Sequence, residues 1–178
     1  KIGDTSDVIS SYLQSKEQLS LSFSSEYRSE RRRGTGFARF NKITYANEEG
    51  DSKKQFEVGE KVVFKMEVLA IEEIANLKIL ILVKNESQQD NLLAIEHIVS
   101  ESKIVKGQKV SFNIFLDEHG LMPGSYPLYF WAGTVDYFHF DVLDDLLPPL
   151  QFISLNLSEE KTSSIFQSQS RLEFLSNS

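Results

Sequence analysis

The stretch RRRGTGFARFNKITYAN (31–47) contains the residues that decide the fold class of this chain. From Phe37 onward, apolar and polar side chains alternate, and a period of two is typical of a β-strand. Strict alternation predicts one face made of Phe37, Arg39, Asn41, Ile43 and Tyr45. The residues between them form the opposite face. The stretch therefore predicts a strand that begins directly after a Gly-Thr-Gly sequence.

Segments with a period of two recur along the rest of the chain, from FEVGEKVVFKMEVLA (56–70) to LQFISLNL (150–157). One of them, NLKILILVKN (76–85), is apolar on both faces, which predicts a strand in the centre of a sheet. Turn formers such as Pro123-Gly124 separate the segments. About seven or eight short strands with no helical run between them predict an all-β fold, an antiparallel β-sandwich.

The two ends of the chain have different patterns. DTSDVISSYLQSKEQ (4–18) places four apolar residues at helical spacing, which predicts a short N-terminal helix before a Ser-rich linker. At the other end, SIFQSQSRLEFL (164–175) alternates again. We predict that this tail forms one more strand, paired either within the chain or with a neighbouring chain.

The sequence Gly34-Thr35-Gly36 lacks the features of a phosphate-binding loop. Such a loop needs a longer Gly-rich spacing, a lysine and a following helix whose N–H groups face the phosphate. Here the glycines lead into a strand, so they are interpreted as the entry turn of the sandwich. For Arg31, Arg32 and Arg33, three interpretations stay open: a solvated linker, which we favour, a phosphate contact, or docking onto an acidic neighbouring domain.

The composition of the 178 residues restricts the function classes. The formal net charge is −7, so the chain lacks the overall positive charge of a nucleic-acid binder, and we expect no nucleic-acid partner. No apolar run reaches the ~18–20 residues that a membrane-spanning helix needs. There is no cysteine, which excludes disulfides and thiol nucleophiles and fits a cytosolic protein. We therefore expect a soluble protein.

The sequence motifs of enzymes and metal sites are missing. His97, His119 and His139 lack the HxH or HExxH spacing of metal ligands, so they are interpreted as surface or hydrogen-bonded core residues. There is no GxSxG nucleophile elbow, and abundant carboxylates do not by themselves mark a catalytic pair. We expect no enzymatic activity, no cofactor and no metal.

Tyr129 and Trp131 are the residues that most strongly indicate a binding surface. In YPLYFWAG (126–133) they alternate with Leu128 and Phe130, so this strand carries large side chains on both faces. One set must build the core, and the other is covered by a loop, the tail or a partner, or is open to a ligand. Flat aromatic faces suit sugar rings. We favour burial at a dimer contact or under the tail and keep sugar binding as the alternative.

Three motifs, in order along the chain, resemble the C-terminal carbohydrate-binding domain of Wzt, the ATPase subunit of O-antigen polysaccharide ABC transporters. They are an Arg-x-Gly-Thr-Gly entry (32–36), a Phe-x-x-Gly-Glu turn (56–60) and a Leu-x-Pro-Gly-x-Tyr-x-Leu signature (121–128). The resemblance spans residues 30–157. The polar loop NESQQDNLL (85–93) departs from the family, which often has a short Gly-containing turn there.

The resemblance implies an immunoglobulin-like β-sandwich that forms a homodimer, with terminal strands that can be exchanged. It implies a cytoplasmic position at the inner face of the inner membrane, where the domain binds the end of a lipid-linked polysaccharide to select it for export. The implied partners are the O-antigen glycan, a second copy of the chain and, through the full-length protein, the membrane subunit of the transporter. ATP hydrolysis belongs to another domain in that family, and this chain has no Walker motif.

The motifs and the resemblance together predict three regions. Residues 1–29 are expected to be a linker that follows a nucleotide-binding domain outside this sequence. Residues 30–157 are expected to be the carbohydrate-binding sandwich, and residues 158–178 a C-terminal tail that is a candidate for strand exchange. Because the first residue is Lys1 rather than Met, we expect the chain to be part of a longer protein.

The predicted carbohydrate site is centred on Tyr129 and Trp131. The polar groups expected to orient the sugar hydroxyls are His97, Asn113, Lys65, Glu67 and Glu96. In a second hypothesis the domain is a dimerisation or regulatory module of the transporter ATPase that does not read glycan. A tryptophan in an open groove favours the first hypothesis, and one buried at a symmetric contact favours the second. A neutral or amino-bearing glycan suits an acidic domain better than an anionic one.

Overall fold

The computed structural model describes residues 22–24, 32–87, 90–154 and 169–175. The helix predicted at 4–18 lies outside these residues. Within the described ranges the chain forms twelve β-strands and no helix, so no helix there could cross a membrane. The strands are β1 (Ser22–Ser24), β2 (Ala38–Ala46), β3 (Gln55–Glu57), β4 (Val62–Ala70), β5 (Leu77–Lys84), β6 (Asn91–Ser100), β7 (Lys109–Glu118), β8 (Gly124–Tyr126), β9 (Leu128–Gly133), β10 (His139–Asp144), β11 (Leu150–Ile153) and β12 (Gln169–Phe174).

The strands form three sheets. The five-stranded sheet has the order β1-β2-β4-β7-β12, and the four-stranded sheet has the order β10-β9-β5-β6. All neighbours in these two sheets are antiparallel, which confirms the all-β antiparallel prediction for the described part of the chain. A small three-stranded sheet, β3-β11-β8, contains one parallel pair, β3 with β11. The predicted central position of NLKILILVKN is confirmed, because β5 pairs with both β9 and β6.

The hydrophobic core lies between the inner faces of the five-stranded and four-stranded sheets. Phe130 of β9 packs edge-to-face with Phe40 of β2 and Phe64 of β4, at ring-centroid distances of 6.2 Å and 6.1 Å. All three rings are fully buried. Burial of a Phe side chain is worth roughly 1.5–3 kcal/mol relative to leaving it exposed, so this cluster is a principal stabilising contact between the sheets.

The faces of β2 differ from the strict alternation expected from the sequence. A bulge between Phe40 and Lys42 inserts Asn41 as an extra residue in the pairing with β4. Phe40 and Ile43 therefore both point into the core, where both are fully buried. The predicted face that joined Arg39 and Asn41 to Ile43 was wrong, because a bulge shifts the alternation by one residue.

The residues before β2 run alongside β10. Arg33 and Val142 exchange two backbone hydrogen bonds, with N–O distances of 3.3 Å and 2.9 Å. The N–H group of Gly36 donates to the carbonyl of Phe140 at 2.9 Å. Gly34 has a φ of +104°, and a Cβ atom there would lie 2.6 Å from the carbonyl oxygen of Phe140. The interpretation as a glycine entry turn is thus confirmed, since only glycine permits this approach.

Arg32 is buried, so the interpretation as a solvated linker was wrong for this residue. Its side chain is 5% exposed, forms an ion pair with Asp141 and donates to the carbonyl of Phe40 at 2.9 Å. Asp141 is fully buried and also accepts from Arg39 at 2.7 Å and from the N–H of Phe40 at 2.9 Å. Buried charges need such partners, and this carboxylate joins the entry segment and β2 to β10.

His119 follows β7 and faces the three-stranded sheet. Its Nδ1 accepts the N–H of Leu121 at 3.1 Å, so its Nε2 carries the proton and donates to the carbonyl of Glu60 at 2.9 Å. The ring lies 4.6 Å from that of Phe152 in β11, and burial lowers the pKa of the imidazole. The interpretation of this histidine as a hydrogen-bonded core residue is confirmed.

The C-terminal strand β12 pairs antiparallel with β7 of the same chain, with Leu172 opposite Ile114. The strand predicted from the alternation at 164–175 is therefore confirmed at 169–174. Leu172 packs against the main core, and the guanidinium of Arg171 lies 4.1 Å from the ring centroid of Phe115. Whether this strand is exchanged between two copies stays a prediction.

Candidate functional site

The seven residues of the predicted carbohydrate site do not lie on one surface. The outer face of the four-stranded sheet carries Tyr129, Trp131 and Glu96. The outer face of the five-stranded sheet, on the opposite side of the sandwich, carries Lys65, Glu67 and Asn113. His97 lies between the sheets, opposite Ile79. The structure therefore brings together two groups of three, of which the first contains the aromatic residues.

The alternation of β9 places Tyr129 and Trp131 on the outer face, since their neighbours Leu128, Phe130 and Ala132 are in the core. Trp131 pairs with Leu80 of β5 and Val142 of β10. Tyr129 pairs with Leu82 of β5 and Asp144 of β10. These cross-strand rows form an aromatic and aliphatic surface in the middle of the sheet.

Trp131 is covered by the loop that joins β9 to β10. The indole is only 1% exposed, and the ring of Tyr137 lies over it at a centroid distance of 5.8 Å. The indole N–H donates to Nδ1 of His139 at 2.7 Å. Trp131 is thus not in an open groove, and its cover is a loop, one of the alternatives left open for this face of the strand. The exposed aromatic at this position is Tyr137, with 57% of its surface accessible.

The loop that covers Trp131 is a tight turn in which Tyr137 has a left-handed backbone conformation. Tyr137 donates its N–H to the carbonyl of Thr134 at 3.0 Å, and Phe138 donates its N–H to the Thr134 hydroxyl at 3.1 Å. Tyr137 has a φ of +61°, a conformation in which glycine or asparagine is usual at this position of a hairpin loop. A Cβ atom on Gly133 would collide with the indole and with the carbonyl of Phe138, so glycine is needed there.

Lys78 and Glu96 flank Tyr137 on the neighbouring strands. The Lys78 ammonium lies 4.2 Å from the ring centroid of Tyr137 and 2.7 Å from the carboxylate of Glu96. The hydrogen bond to Glu96 raises the pKa of the Lys78 ammonium above its ordinary value. A cation over an aromatic face stabilises that ring position. Sequence analysis missed Lys78 and Tyr137, because the turn conformation that brings them together leaves no periodic signal.

A second set of charges surrounds Tyr129. The Lys84 ammonium lies 5.3 Å from the Tyr129 ring centroid and 2.8 Å from the carboxylate of Asp144. Arg33, largely exposed, pairs with the same carboxylate at 3.1 Å. Burial raises the pKa of the Tyr129 phenol, so the hydroxyl stays protonated at neutral pH and can donate a hydrogen bond. Two tyrosine rings, each beside an ion pair, thus lie on one apolar sheet surface.

On the opposite side of the sandwich, the predicted residues contact other parts of the chain. Lys65 donates to the carbonyl of Gly50 at 2.8 Å, and Glu67 forms an ion pair with Lys109 at 3.1 Å. The Oδ1 of Asn113 is buried and has no hydrogen-bond partner within the described residues. The first contact links the loop that contains Gly50 to β4, and the second links β4 to β7. No exposed aromatic ring takes part in either contact.

His97 joins the C-terminal strand to the four-stranded sheet. Its Nε2 lies 3.1 Å from the hydroxyl of Ser170 in β12. Burial lowers the pKa of its imidazole, as expected for a ring between two sheets. In the structure this residue contacts neither Tyr129 nor Trp131. Within the described ranges, no group of three or more acidic or histidine residues is arranged to hold a metal ion.

The comparisons with known proteins agree with the motifs. The model of the Wzt C-terminal domain family matches residues 29–166. A crystal structure of the C-terminal domain of wzt has a similar fold, with a TM-score of 0.62 and 18% sequence identity, covering 78% of this chain and 91% of that one. No curated protein sequence is significantly similar to the chain. Since the family model covers most of its length, this chain belongs to the Wzt C-terminal domain family.

Proposed function

We propose that this domain binds the end of a lipid-linked O-antigen-type polysaccharide and thereby selects it for export by an ABC transporter. Membership of the Wzt C-terminal domain family supports the transporter context. In this proposal the domain works at the cytoplasmic face of the inner membrane, as part of a longer transporter subunit. It carries out no chemistry itself.

The observation that carries the proposal is the outer face of the four-stranded sheet. Tyr129 is half-buried and Tyr137 is exposed, and both rings lie beside an ion pair on the same sheet surface. Sugar rings combine apolar C–H faces with hydroxyl rims, so they fit aromatic rings with charged hydrogen-bonding groups beside them. Lys78 with Glu96, and Lys84 with Asp144, offer both donors and acceptors to hydroxyl groups.

The proposal favours a neutral or amino-bearing glycan. The formal net charge of the chain is −7, so an anionic polysaccharide is repelled by the domain as a whole. The charges on the proposed face are balanced pairs rather than a cluster of cations. A shallow site of this kind binds weakly, and two sites acting together increase the overall affinity.

The test is a titration of the domain with the polysaccharide of the source organism, and separately with an unrelated one. Trp131 is the only tryptophan, so its fluorescence reports changes under Tyr137. We expect a saturable change with the first polysaccharide only. In calorimetry, Tyr137→Ala and Tyr129→Ala should each weaken binding by about tenfold, which corresponds to ~1.4 kcal/mol.

Lys65→Ala on the opposite side of the sandwich is the matched control, and it should leave the affinity unchanged. If Lys65→Ala weakens binding and the tyrosine variants do not, the glycan site lies on the five-stranded sheet. If neither method detects binding to a correctly folded domain, glycan recognition is wrong. The domain is then better described as a dimerisation or regulatory module of the transporter ATPase.

A further inference from the structure

The centre of the outer face of the four-stranded sheet is aliphatic. The neighbours of Leu80 and Leu82 in β5 are fully buried in the core, so these two side chains point outward. Both are half-buried. Ala94 of β6 lies opposite Leu82 and is exposed, and Leu92 and Ile98, at the same period along β6, are 46% and 45% exposed. The face therefore presents aliphatic side chains to solvent on two neighbouring strands.

The cross-strand row through Tyr129 has a polar side and an apolar side. On one side lies Asp144 of β10, with the ammonium of Lys84 at 2.8 Å from its carboxylate. On the other side lie Leu82 of β5 and then Ala94 of β6. Neither of these two side chains can form a hydrogen bond. Adjacent strands are ~4.8 Å apart, so a substituent one or two bonds long on a ring over Tyr129 would lie over Leu82.

The neighbouring row, through Trp131, has an acceptor where the first row has none. After Leu80 of β5 it reaches Glu96 of β6, whose side chain is 44% exposed and pairs with Lys78 at 2.7 Å. A carboxylate has more acceptor positions than one ammonium fills. A sugar in this row can therefore donate a hydroxyl hydrogen bond to Glu96, whereas the row through Tyr129 offers only apolar side chains on its β6 side.

We propose that the sugar bound over Tyr129 carries a methyl group, that of a 6-deoxy sugar or of an N-acetyl group, and places it against Leu82 and Ala94. This substrate class rests on the proposed function and specifies one sugar of the polysaccharide. A hydroxymethyl group in the same place would give up water without gaining a hydrogen-bond partner. The backbone of β5 offers no acceptor either, because this strand is paired on both sides. A methyl group instead buries apolar surface.

The polar side of the row determines which edge of the sugar faces Leu82. The Asp144 carboxylate pairs with Lys84 and with Arg33, whose side chain is 65% exposed. These groups offer acceptors and donors to sugar hydroxyls. A ring over Tyr129 that turns its hydroxyls toward Asp144 turns its opposite edge toward Leu82. The bound sugar therefore needs one hydroxylated edge and one apolar edge.

The first test is saturation-transfer NMR of the domain with the polysaccharide of the source organism. Saturation is applied at the aromatic protons of the protein, where the polysaccharide has no signals. We expect one type of methyl proton to be among the most strongly saturated signals of the polysaccharide. Methyl protons of 6-deoxy sugars and of N-acetyl groups resonate at different positions, so the spectrum shows which of the two groups is bound.

Leu82→Thr adds a hydroxyl group to the row and keeps a residue that favours β-strands. It should weaken polysaccharide binding about fivefold in calorimetry and reduce the saturation of the methyl protons. Leu69→Thr is the matched control, because Leu69 is half-buried on the outer face of the five-stranded sheet, and it should change neither. Ala94→Gln, at an exposed position, should also reduce the methyl saturation. Thermal unfolding checks that all three variants fold.

A measurement without glycan tests whether the row is open to a ligand. A soluble paramagnetic agent should broaden the methyl signals of Leu82 much more than those of Ile81, which is fully buried in the core. Equal protection of the two would show that another segment, such as residues 155–168, covers the row, and would overturn the proposal.

Two further results separate a wrong substrate class from a wrong function. In the first, calorimetry detects polysaccharide binding that Tyr129→Ala weakens, but the methyl protons stay unsaturated or the polysaccharide contains none. The substrate class is then wrong, and glycan recognition by this face stands. In the second, calorimetry detects no binding to a correctly folded domain. The proposed function is then wrong, and the substrate class with it.

Discussion

Asp141 is a fully buried carboxylate with partners on two other segments of the chain. Its carboxylate accepts hydrogen bonds from Arg32, from Arg39 and from the N–H of Phe40. Two of these three partners belong to β2 and one to the entry segment, whereas Asp141 itself belongs to β10. One buried side chain thus connects β2 of the five-stranded sheet to β10 at the edge of the four-stranded sheet.

Asp141→Asn should destabilise the domain strongly. The substitution keeps the shape of the side chain but leaves two guanidinium groups without their counter-charge, and the loss of one partner from a buried ion pair costs about 3–5 kcal/mol. The measurement is urea unfolding at neutral pH. Asp144→Asn is the control, because its pairs with Arg33 and Lys84 are partly exposed and worth at most ~1 kcal/mol. An equal decrease in the free energy of unfolding for Asp141→Asn and Asp144→Asn would contradict this prediction.

His119 should make the free energy of unfolding depend on pH, at pH values higher than those at which carboxylates titrate. Burial lowers the pKa of its imidazole, so below the unfolded value of 6.5 the unfolded chain binds a proton that the folded chain does not. Stability is therefore complete above about pH 6.5 and falls as the pH decreases from there. His97, whose pKa is also lowered by burial, contributes in the same direction.

The measurement is the urea midpoint at pH 7.5 and at pH 5.0. We expect a decrease at pH 5.0 that becomes smaller in His119→Asn, in which the amide oxygen can still accept the N–H of Leu121. Glu48 and Glu67, whose pKa values are lowered from 4.5, affect stability only at lower pH. An unchanged pH dependence in the variant would show that protonation of this ring does not limit stability.

At the scale of one element, the loop between β9 and β10 combines backbone strain with a ring contact. Tyr137→Gly should relieve a left-handed conformation that costs ~1–2 kcal/mol and remove an aromatic contact worth ~0.5–1.5 kcal/mol. We therefore expect a change in the free energy of unfolding of less than about 1 kcal/mol. Quenching of Trp131 fluorescence by acrylamide should nevertheless rise several-fold.

Tyr137→Phe keeps the ring over the indole and should leave the quenching unchanged. If Tyr137→Gly also leaves it unchanged, the tyrosine does not cover Trp131 in solution. If Tyr137→Gly destabilises the domain by more than about 3 kcal/mol, the ring contact contributes more than the backbone strain costs. The loop is then required for the stability of the fold.

Strand positions could be predicted from this sequence because burial on one face imposes a period of two, as in β4 and β6. The bulge at Asn41 could not, because one extra residue changes the face of a strand without leaving a gap in the pattern. The aromatic residues on both faces of β9 predicted a covered or ligand-binding surface, and the cover proved to be a loop. Tyr137 in that loop could not be predicted, because it is positioned by turn geometry rather than by a periodic pattern. The burial of Arg32 could not be predicted either, because its partner Asp141 lies 109 residues away in the sequence.

At the scale of the whole molecule, the two outer surfaces differ in how their polar groups are used. On the five-stranded sheet, Lys65 and Glu67 contact other parts of the same chain. On the four-stranded sheet, the pairs of Lys78 with Glu96 and of Lys84 with Asp144 lie beside exposed or half-buried tyrosine rings and join neighbouring strands. This difference is the reason for placing the proposed glycan site on the four-stranded sheet, where hydrogen bonds to a ligand would not compete with contacts that hold a hairpin loop.

The C-terminal strand completes the five-stranded sheet and allows a test of strand exchange. Removal of residues 158–178 would uncover the ten-residue edge of β7 and the contacts of Leu172 and Arg171. Partial burial of a leucine and a cation–π contact are together worth roughly 2–3 kcal/mol, so the truncated chain should unfold at lower urea concentration.

A peptide of residues 164–178, added to the truncated chain, should bind β7 and raise the midpoint toward that of the full chain. A peptide with Leu172→Asp is the control, since a carboxylate there would face the core, and it should have no effect. Restoration by the first peptide alone would demonstrate that β12 can be supplied by a separate chain, as exchange requires. If the truncated chain is already as stable as the full one, β12 contributes too little for exchange to hold two copies together.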